Sequence, residues 1–414
     1  MHASTSTHWA PLAAAALLCA AVVVVSGCTS RPAPARKPAA TKKPAAKAGP
    51  KEEATPMAKP GPAPAPKVCE RCGSADCEYM AGINLAGAEF AGREIPGIEN
   101  RHYGWPTAER LDYWRKRGIK LIRLPIHWAR LQPKLEERLD PKYAGGLMRS
   151  LKLMGERDML VIVDVHNYAK YRGKAIGSPE VPIAAFADLW SRIATVVKDE
   201  RAVYGYGLMN EPHKCDWPAC VQAAVDAIRK VDTKTRIYVA NDYAGWAASY
   251  AKGDLAAWAE KGMRIPDPKA IRDPSNLLRW ELHMYMDHDA SGTYRKTYQS
   301  EIERTDGPGA RVGPDLGVKR VAPFVAWLEK HDVRGLIGEY SVPANPGKDG
   351  RWLVSLENAL KYFRANCLQS TYWAGGQYWT RGRDYVIGPN GWKPGSGDDQ
   401  KNRPQLEVLL KYKD

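Results

Sequence analysis

Eight short apolar runs, separated by segments with helical periodicity, constrain the fold of this chain more than any other feature. Runs of this length without alternation are typical of strands buried on both faces of a parallel sheet. Eight strand–helix units over roughly 335 residues favour an α/β fold, a closed (β/α)8 TIM barrel in one domain, over an open sheet. The runs are GINLA (82–86), IKLIRLP (119–125), LVIVDVH (160–166), VYGYGLMN (203–210), RIYVAN (236–241), LRWELHMY (278–285), RGLIGE (334–339) and STYWAGG (370–376).

Polar or aromatic side chains occupy the ends of six of these predicted strands. In a (β/α)8 barrel the C-terminal strand ends meet at one face, where the active sites of this fold are built. One polar residue after a strand is usually a solvated loop residue, but six such ends need a shared explanation, because buried polar groups require partners. The residues are Arg123, His166, Asn167, Asn210, Glu211, His283, Tyr285, Glu339 and Trp373.

Two of these residues are carboxylates expected on opposite sides of the barrel mouth. Glu211 and Glu339 are 128 positions apart, which is about three strand–helix units of ~42 residues each. Facing carboxylates suit glycoside hydrolysis, in which one group donates a proton and the other attacks the sugar or activates water. We expect Asn210 to bind a sugar hydroxyl and Arg123 to keep a neighbouring carboxylate ionised.

The motifs around these positions resemble the cellulase-type family 5 of glycoside hydrolases. They occur in the family's order as GINLAGAEF, IRLPIHWARLQP, VDVHNYAKY, GLMNEPH, HMYMDHDASGT, GEY and YWAGG, over roughly residues 80–412. The resemblance implies Glu211 as general acid/base and Glu339 as nucleophile. One departure is GEYSVP, where many members carry Phe-Gly after the Glu, and it affects the expected cleft shape. The substrate-binding residues are then expected to be Arg123, His166, Asn167, Tyr168, Asn210, His283, Tyr285 and Trp373.

By this resemblance the chain is expected to be a retaining endo-β-1,4-glucanase that hydrolyses cellulose-like β-glucans by double displacement, as a monomer without cofactor or metal. One alternative is another β-glycanase of the same family, a mannanase or xyloglucanase, since one fold carries several specificities. The other is a non-catalytic envelope protein that binds glycan, which the loss of either glutamate would have favoured. Tryptophans expected near the cleft, as candidates for stacking on sugar rings, are Trp105, Trp128, Trp217, Trp246, Trp379 and Trp392.

The first 68 residues divide into a segment with an apolar run and a Pro-, Ala- and Lys-rich segment that cannot bury a core. Residues 1–27 contain an apolar run at 12–27 that ends in VSGC and resembles a bacterial lipoprotein signal; the run is short for a plain membrane anchor. The resemblance makes Cys28 the lipidated first residue, and Thr29 after it implies sorting to the outer membrane. Residues 28–68 are rich in Pro, Ala and Lys, as in extended disordered tethers, so the catalytic domain is expected at 69–414.

The formal net charge of +15 does not indicate a nucleic-acid partner. Nine lysines and arginines but only two glutamates fall in residues 31–67, so nearly half of the net charge lies in the tether. The rest of the chain shows no compact basic stretch of the kind that binds nucleic acid. No G-x-G-x-x-G follows the first predicted strand, and no H-E-x-x-H motif is present, which disfavours dinucleotide and zinc-protease sites.

Six cysteines follow the expected lipidation site and are expected to form three disulfides in an oxidising compartment. Cys215 and Cys220 flank a four-residue loop and are expected to pair. Cys77 precedes the first predicted strand and Cys367 the eighth, and these strands are neighbours in a closed barrel. The four cysteines Cys69, Cys72, Cys77 and Cys367 allow three connectivities. The simplest expectation is that Cys367 pairs with Cys77. The alternative for CERCGSADC (69–77) is a zinc site.

Overall fold

Eight parallel strands close into a barrel in the computed structural model, which describes residues 77–241, 266–303, 311–343, 350–376, 379, 386–388 and 403–413. The barrel strands are β1 (Ala81–Leu85), β2 (Leu121–Ile126), β3 (Leu160–Val165), β6 (Val203–Gly207), β7 (Arg236–Ala240), β8 (Leu278–His283), β9 (Gly335–Glu339) and β10 (Gln369–Gly375). Their order around the ring is β1–β10–β9–β8–β7–β6–β3–β2. A small antiparallel hairpin, β4 (Lys170–Tyr171) and β5 (Lys174–Ala175), follows β3. The predicted (β/α)8 barrel is confirmed.

Helices alternate with the strands and bury one apolar face each. In the fourth, residues at three- and four-residue steps from Ala185 to Val197 are buried, as its periodicity predicts. None of the helices in the described ranges is long and apolar enough to cross a membrane. The helices are α1 (Ala108–Lys116), α2 (Trp128–Leu131), α3 (Pro141–Gly155), α4 (Ile183–Val197), α5 (Trp217–Arg229), α6 (Tyr298–Ile302), α7 (Leu316–His331), α8 (Arg351–Ala365) and α9 (Pro404–Leu410).

The end of the barrel where the strands begin is closed by packing and ion pairing. Leu121, Ile162, Tyr238 and Leu336 form a small buried cluster of their own. Beside it, Arg279 of β8 donates two hydrogen bonds, of 2.8 and 2.6 Å, to the carboxylate of Glu78 just before β1. Contacts that stabilise the fold occupy this end of the barrel. The active sites of this fold lie at the opposite end, where the strands finish.

A disulfide joins Cys77, just before β1, to Cys367, just before β10. The two strands are hydrogen-bonded neighbours, with Ala81 opposite Ser370, and the cysteine Cα atoms are 5.2 Å apart. The bond therefore joins the first and last strands of the ring where they close the barrel. This confirms the pairing that was predicted from strand order.

The prediction of a disulfide between Cys215 and Cys220 is wrong, because both residues are free thiols in the structure. Asp216 caps α5 by accepting a hydrogen bond from Ala219 N (3.2 Å), which places Cys220 in the first turn with its side chain buried. Cys215 stays on the preceding loop. A hydrogen bond between the thiols, together with burial, raises the pKa of Cys220. The signal at 1–27, the tether at 28–68, Cys28 and the CERC segment (69–72) lie outside the described residues.

The substitution Cys77→Ser is expected to lower the free energy of unfolding by about 2–5 kcal/mol, because it releases a constraint between positions far apart in the unfolded chain. Guanidinium unfolding with and without reductant measures this. Reductant is expected to lower the midpoint of the wild type and of Cys215→Ser, but not that of Cys77→Ser. An unchanged wild-type midpoint in reductant would contradict a stabilising role for the bond.

Candidate active site

Side chains from six barrel strands converge at the end where the strands finish. Parallel strands share one direction, so their C-terminal ends open on the same face of the barrel. The structure brings together there all of the predicted catalytic and substrate-binding residues other than the candidate stacking tryptophans. These are Arg123 within β2, His166, Asn167 and Tyr168 after β3, Asn210 and Glu211 after β6, His283 and Tyr285 at and after the end of β8, Glu339 at the end of β9, and Trp373 in β10.

Glu211 and Glu339 lie close together in this mouth. A carboxylate oxygen of each and a ring nitrogen of His283 all lie within 4.8 Å of one another. The side chain of Glu339 is 5% exposed, whereas that of Glu211 is 14% exposed. Glu211 has a φ of +40°, a conformation that costs a non-glycine residue on the order of 1 kcal/mol or more. The backbone therefore holds Glu211 in an unfavourable turn that aims its carboxylate at the cleft.

The guanidinium of Arg123 lies at the centre of the site and is fully buried. Carboxylates balance its charge, and amide oxygens accept hydrogen bonds from it. Burial opposes the charged form, but the surrounding carboxylates outweigh this effect and raise the pKa of Arg123. Its partners are Asn210 Oδ1 at 2.9 Å, Asn84 Oδ1, Asp164 Oδ1 and Glu281 Oε1 at 3.0 Å, and Glu339 Oε1 at 3.1 Å.

The imidazole of His283 joins the two carboxylates of the mouth to a deeper one. Its Nδ1 lies 3.0 Å from Glu211 Oε1 and 3.6 Å from Glu339 Oε2, and its Nε2 lies 3.1 Å from Glu281 Oε1. Burial opposes the charged ring, but these three carboxylates together raise the pKa of His283 to about 10. The raised pKa favours the form of His283 with both ring nitrogens protonated, in which the ring can donate one hydrogen bond to Glu211 and one to Glu281.

Glu339 is held from two sides. Arg123 Nη1 donates to its Oε1 at 3.1 Å, and the hydroxyl of Tyr285 donates to its Oε2 at 2.6 Å. Burial raises the pKa of Glu339, the positive charges of His283 and Arg123 oppose that rise, and the negative charge of Glu211 adds to it. The ionised form thus depends on the two cations and the tyrosine hydroxyl. Arg123 and Tyr285 fix one carboxylate oxygen each.

His166 and Trp373 form a flat wall beside the carboxylates. Their rings stack with centroids 5.4 Å apart and planes 11° apart. Asp164 Oδ2 lies 2.9 Å from His166 Nδ1 and orients the ring. The hydroxyl of Tyr168, a 40% exposed residue, lies 3.4 Å from the other ring nitrogen of His166. Exposed aromatic faces of this kind offer apolar platforms for a sugar ring.

A cavity of about 890 Å³ continues from this wall along the loops after β1, β2 and β3. Glu89 and His127 line it and are each more than nine-tenths buried. One oxygen of Glu89 accepts from Gly87 N at 2.7 Å, but Glu89 Oε1 and His127 Nδ1 have no hydrogen-bond partner in the described residues. Burial raises the pKa of Glu89 to about 7 and lowers that of His127 to about 3.

Asn167 lines the same cavity and also makes a hydrogen bond that stabilises the fold. Its Oδ1 accepts a hydrogen bond from Trp128 N at 2.7 Å, at the start of α2, while its side chain also lines the cavity. Of the tryptophans expected at the cleft, Trp379 lies beside Trp373, with ring centroids 5.9 Å apart. Three others, Trp105, Trp128 and Trp217, belong to the hydrophobic core. The remaining two, Trp246 and Trp392, lie outside the described residues.

Several residues of the site were not predicted to take part in it. Asp164 and Glu281 each lie two positions before a site histidine, in VDVH and WELH. Alternate residues of a strand face the same side, so an acid-x-His pair on a barrel strand is a sequence signal that could have identified both. Asn84, in β1, donates to Gly338 O at 2.9 Å while accepting from Arg123.

Comparison with known proteins agrees with this geometry. The chain matches the profile of the family described as Cellulase (glycosyl hydrolase family 5) over residues 83–378. Endo-beta-1,4-glucanase B of Emericella nidulans is 27% identical over 329 residues, which span 78% of this chain and 88% of that protein.

Solved structures show the same likeness. The endoglucanase Cel5A of Pseudomonas stutzeri in complex with cellobiose is 34% identical with a TM-score of 0.68, over 81% of this chain and 92% of that one. An endo-beta-1,4-glucanase of Xanthomonas axonopodis pv. citri is 32% identical with a TM-score of 0.67, over 81% of this chain and all of that one, 100%. This chain is a glycoside hydrolase that belongs to glycosyl hydrolase family 5, the cellulase family.

Proposed function

We propose that this enzyme is a retaining endo-β-1,4-glucanase. The observation that carries the proposal is the pair Glu211 and Glu339, of which one carboxylate oxygen each lies within 4.8 Å of the other. Retaining glycosidases hold their carboxyl groups about 5–5.5 Å apart, whereas inverting enzymes need a wider gap for a water molecule. The similar proteins named as endo-beta-1,4-glucanases, one of them bound to cellobiose, support a β-1,4-glucan as the substrate.

In the first step Glu339 attacks the anomeric carbon and the glycosidic bond breaks. Glu211 donates its proton to the departing sugar oxygen, and a covalent glycosyl-enzyme forms on Glu339. Arg123 and Tyr285 fix the two oxygens of Glu339 for this attack. In the second step Glu211 takes a proton from water, which attacks the same carbon and releases Glu339. Two inversions leave the product in the β configuration.

The sugar rings are proposed to bind along the cavity that begins at His166 and Trp373. Trp373 offers a flat face to one ring, and the unpartnered Glu89 Oε1 and His127 Nδ1 offer hydrogen bonds to its neighbour. Buried polar atoms without partners are uncommon in folded proteins, and sugar hydroxyls can both donate to and accept from them.

A polymer panel tests the proposed substrate. Reducing-sugar release is measured on carboxymethyl-cellulose, mixed-linkage glucan, xyloglucan and mannan, together with solution viscosity. We expect activity on the first two substrates, with viscosity falling faster than reducing ends appear, as internal cleavage requires. Preference for mannan or xyloglucan would overturn the glucanase proposal, and binding without hydrolysis would favour the non-catalytic alternative.

The substitution Tyr285→Phe is expected to move the acidic limb of the kcat/KM profile to higher pH by about one unit. The tyrosine hydroxyl stabilises the ionised form of Glu339, so its loss raises the pKa of Glu339 further. Activity needs ionised Glu339 and is lost as pH falls through this pKa. Tyr294→Phe is the control, since that buried hydroxyl bonds to backbone groups at Met286 and Ser341. An acidic limb that stays in place would contradict the role given to Tyr285.

We further propose that the chain is exported and held at the outer membrane by a lipid on Cys28. The Cys77–Cys367 disulfide supports export, because such bonds persist in oxidising compartments. A lipid chain and a polybasic segment together give stable membrane binding. Cells fed labelled palmitate are expected to label the wild type but not Cys28→Ala. Equal labelling of the two would refute the anchor.

A further inference from the structure

Two strands of the barrel carry the same pattern, an acidic residue two positions before a histidine. Asp164 and His166 come from β3, and Glu281 and His283 from β8. In each pair the carboxylate touches its histidine, at 2.9 Å for Asp164 Oδ2 and 3.1 Å for Glu281 Oε1. Arg123 lies between the pairs and is 3.0 Å from both carboxylates. The pattern is therefore a built arrangement rather than two unrelated contacts.

The position of Glu281 is prepared by the strand beside it. A Cβ atom at Gly338 would lie 1.9 Å from Glu281 Oε1, so only glycine leaves room for this carboxylate. Glu281 is 1% exposed, and an isolated charge so deeply buried would be strongly unfavourable. Burial raises the pKa of Glu281, but Arg123 and His283 outweigh that effect and lower it. The negative charge of buried Glu281 is thus stabilised by its two cationic partners, Arg123 and His283.

The two acid-x-His pairs differ in what their histidines touch. His166 contacts Tyr168 and the face of Trp373. His283 points Nδ1 at Glu211 Oε1, 3.0 Å away, because its Nε2 is held by Glu281. The groups that face His283 are Glu211 from the loop after β6, Glu339 from β9 and Glu281 from its own strand, with Arg123 and Tyr285 behind Glu339.

We propose that Glu281 is a positioning residue that acts through His283, whose ring it holds so that an N–H always faces the acid/base carboxylate Glu211. This inference rests on the proposed glycosidase mechanism. Glu211 gains negative charge when it gives its proton to the leaving oxygen, and the His283 N–H stabilises that charge. A carboxylate behind an imidazole fixes the orientation of the ring and stabilises its protonated form in the same way in serine proteases. Glu281 itself does not contact the reacting sugar.

The isosteric substitution Glu281→Gln tests this role through the leaving group. It is expected to lower kcat by about 10- to 100-fold on cellopentaose and phenyl β-cellobioside, whose leaving groups need a proton. On 2,4-dinitrophenyl β-cellobioside, whose leaving group needs none, the first step should change less than 3-fold. KM should change little, since Glu281 lies below the cleft. Equal losses on all three substrates would overturn the proposal.

Asp164→Asn is the matched control, because Asp164 also contacts Arg123 and a histidine but not one bonded to Glu211. Its effect should be the same for good and poor leaving groups. In a His283→Ala background, Glu281→Gln should add no further leaving-group dependence, since coupled residues are not additive. A wild-type enzyme without activity on any β-1,4-glucoside would refute the proposed function itself. This outcome differs from failure of the present inference, in which the wild type is active but Glu281→Gln shows no leaving-group dependence.

A measurement on the wild type keeps the proposal testable if Glu281→Gln does not fold. Nitrogen-15 NMR of labelled histidine is expected to show both ring nitrogens of His283 protonated at pH 7, with the signal assigned by its loss in His283→Gln. A neutral ring, which has a proton on only one nitrogen, would overturn the proposed arrangement, because Glu281 and Glu211 could then not both accept a hydrogen bond from it.

Discussion

Replacing Glu339 with alanine is expected to reduce turnover of β-1,4-glucan by about 10⁵-fold, the order of loss that follows removal of a covalent nucleophile. Arg123 and Tyr285 would remain to line the site, but no carboxylate would reach the anomeric carbon. Binding of cellopentaose, measured by calorimetry, should change only a few-fold, because the cavity walls are untouched. Glu329→Ala, an exposed glutamate of α7, is the control and should keep full activity.

Added azide distinguishes the roles of the two glutamates. In Glu339→Ala, azide can attack an activated β-aryl cellobioside from the vacated side and should yield an α-glycosyl azide with partial recovery of rate. If this variant instead produced a β-glycosyl azide, the assigned nucleophile and acid/base would be exchanged. Retained hydrolysis in Glu339→Ala without azide would contradict the double-displacement mechanism.

The second large effect is expected for Glu211→Ala. Loss of the proton donor should lower kcat on cellulosic oligosaccharides by about 10²- to 10⁴-fold, the usual contribution of general acid–base catalysis. Substrates with a dinitrophenolate leaving group should still form the glycosyl-enzyme rapidly, because that group departs without a proton. The intermediate should then accumulate, since Glu211 is also the base that activates water. Stopped-flow release of dinitrophenolate is expected to show a burst followed by slow turnover.

Absence of that burst would argue against a single residue serving as acid and base. In the wild type, proton NMR of a fresh digest gives an independent test of the same mechanism. The first reducing ends should appear in the β form and mutarotate later. An initial α product would mean that water attacks directly, which the spacing of Glu211 and Glu339 does not accommodate.

The fold and the main site residues could be predicted because both rest on local patterns. Short apolar runs indicate buried strands, and their C-terminal ends must share one face of the barrel. Strand order alone also predicted that Cys77 and Cys367 meet. These inferences need only the direction and sequence of the strands, which the chain encodes within a few residues of each element.

What could not be predicted depends on side-chain packing between elements far apart in the chain. The spacing of Cys215 and Cys220 allows a disulfide, but the two residues remain free thiols that hydrogen-bond to each other, one in the first turn of α5 and one on the loop before it. Trp128 was expected at the cleft, yet it packs beneath α4 against Phe186. Glu281 carries the acid-x-His signal, but the sequence does not show its contact with Arg123 or the space that Gly338 leaves for it, because both come from other strands.

The disulfide between residues 77 and 367 has a consequence for the survival of the enzyme. Its two cysteines are separated by 290 positions, so a protease that cuts the chain once at any loop between them leaves both pieces on one covalent molecule. The strands on either side of the cut also remain hydrogen-bonded within the ring. A single nick therefore cannot release a fragment carrying Glu211 or Glu339, and the two catalytic carboxylates stay on one covalent molecule.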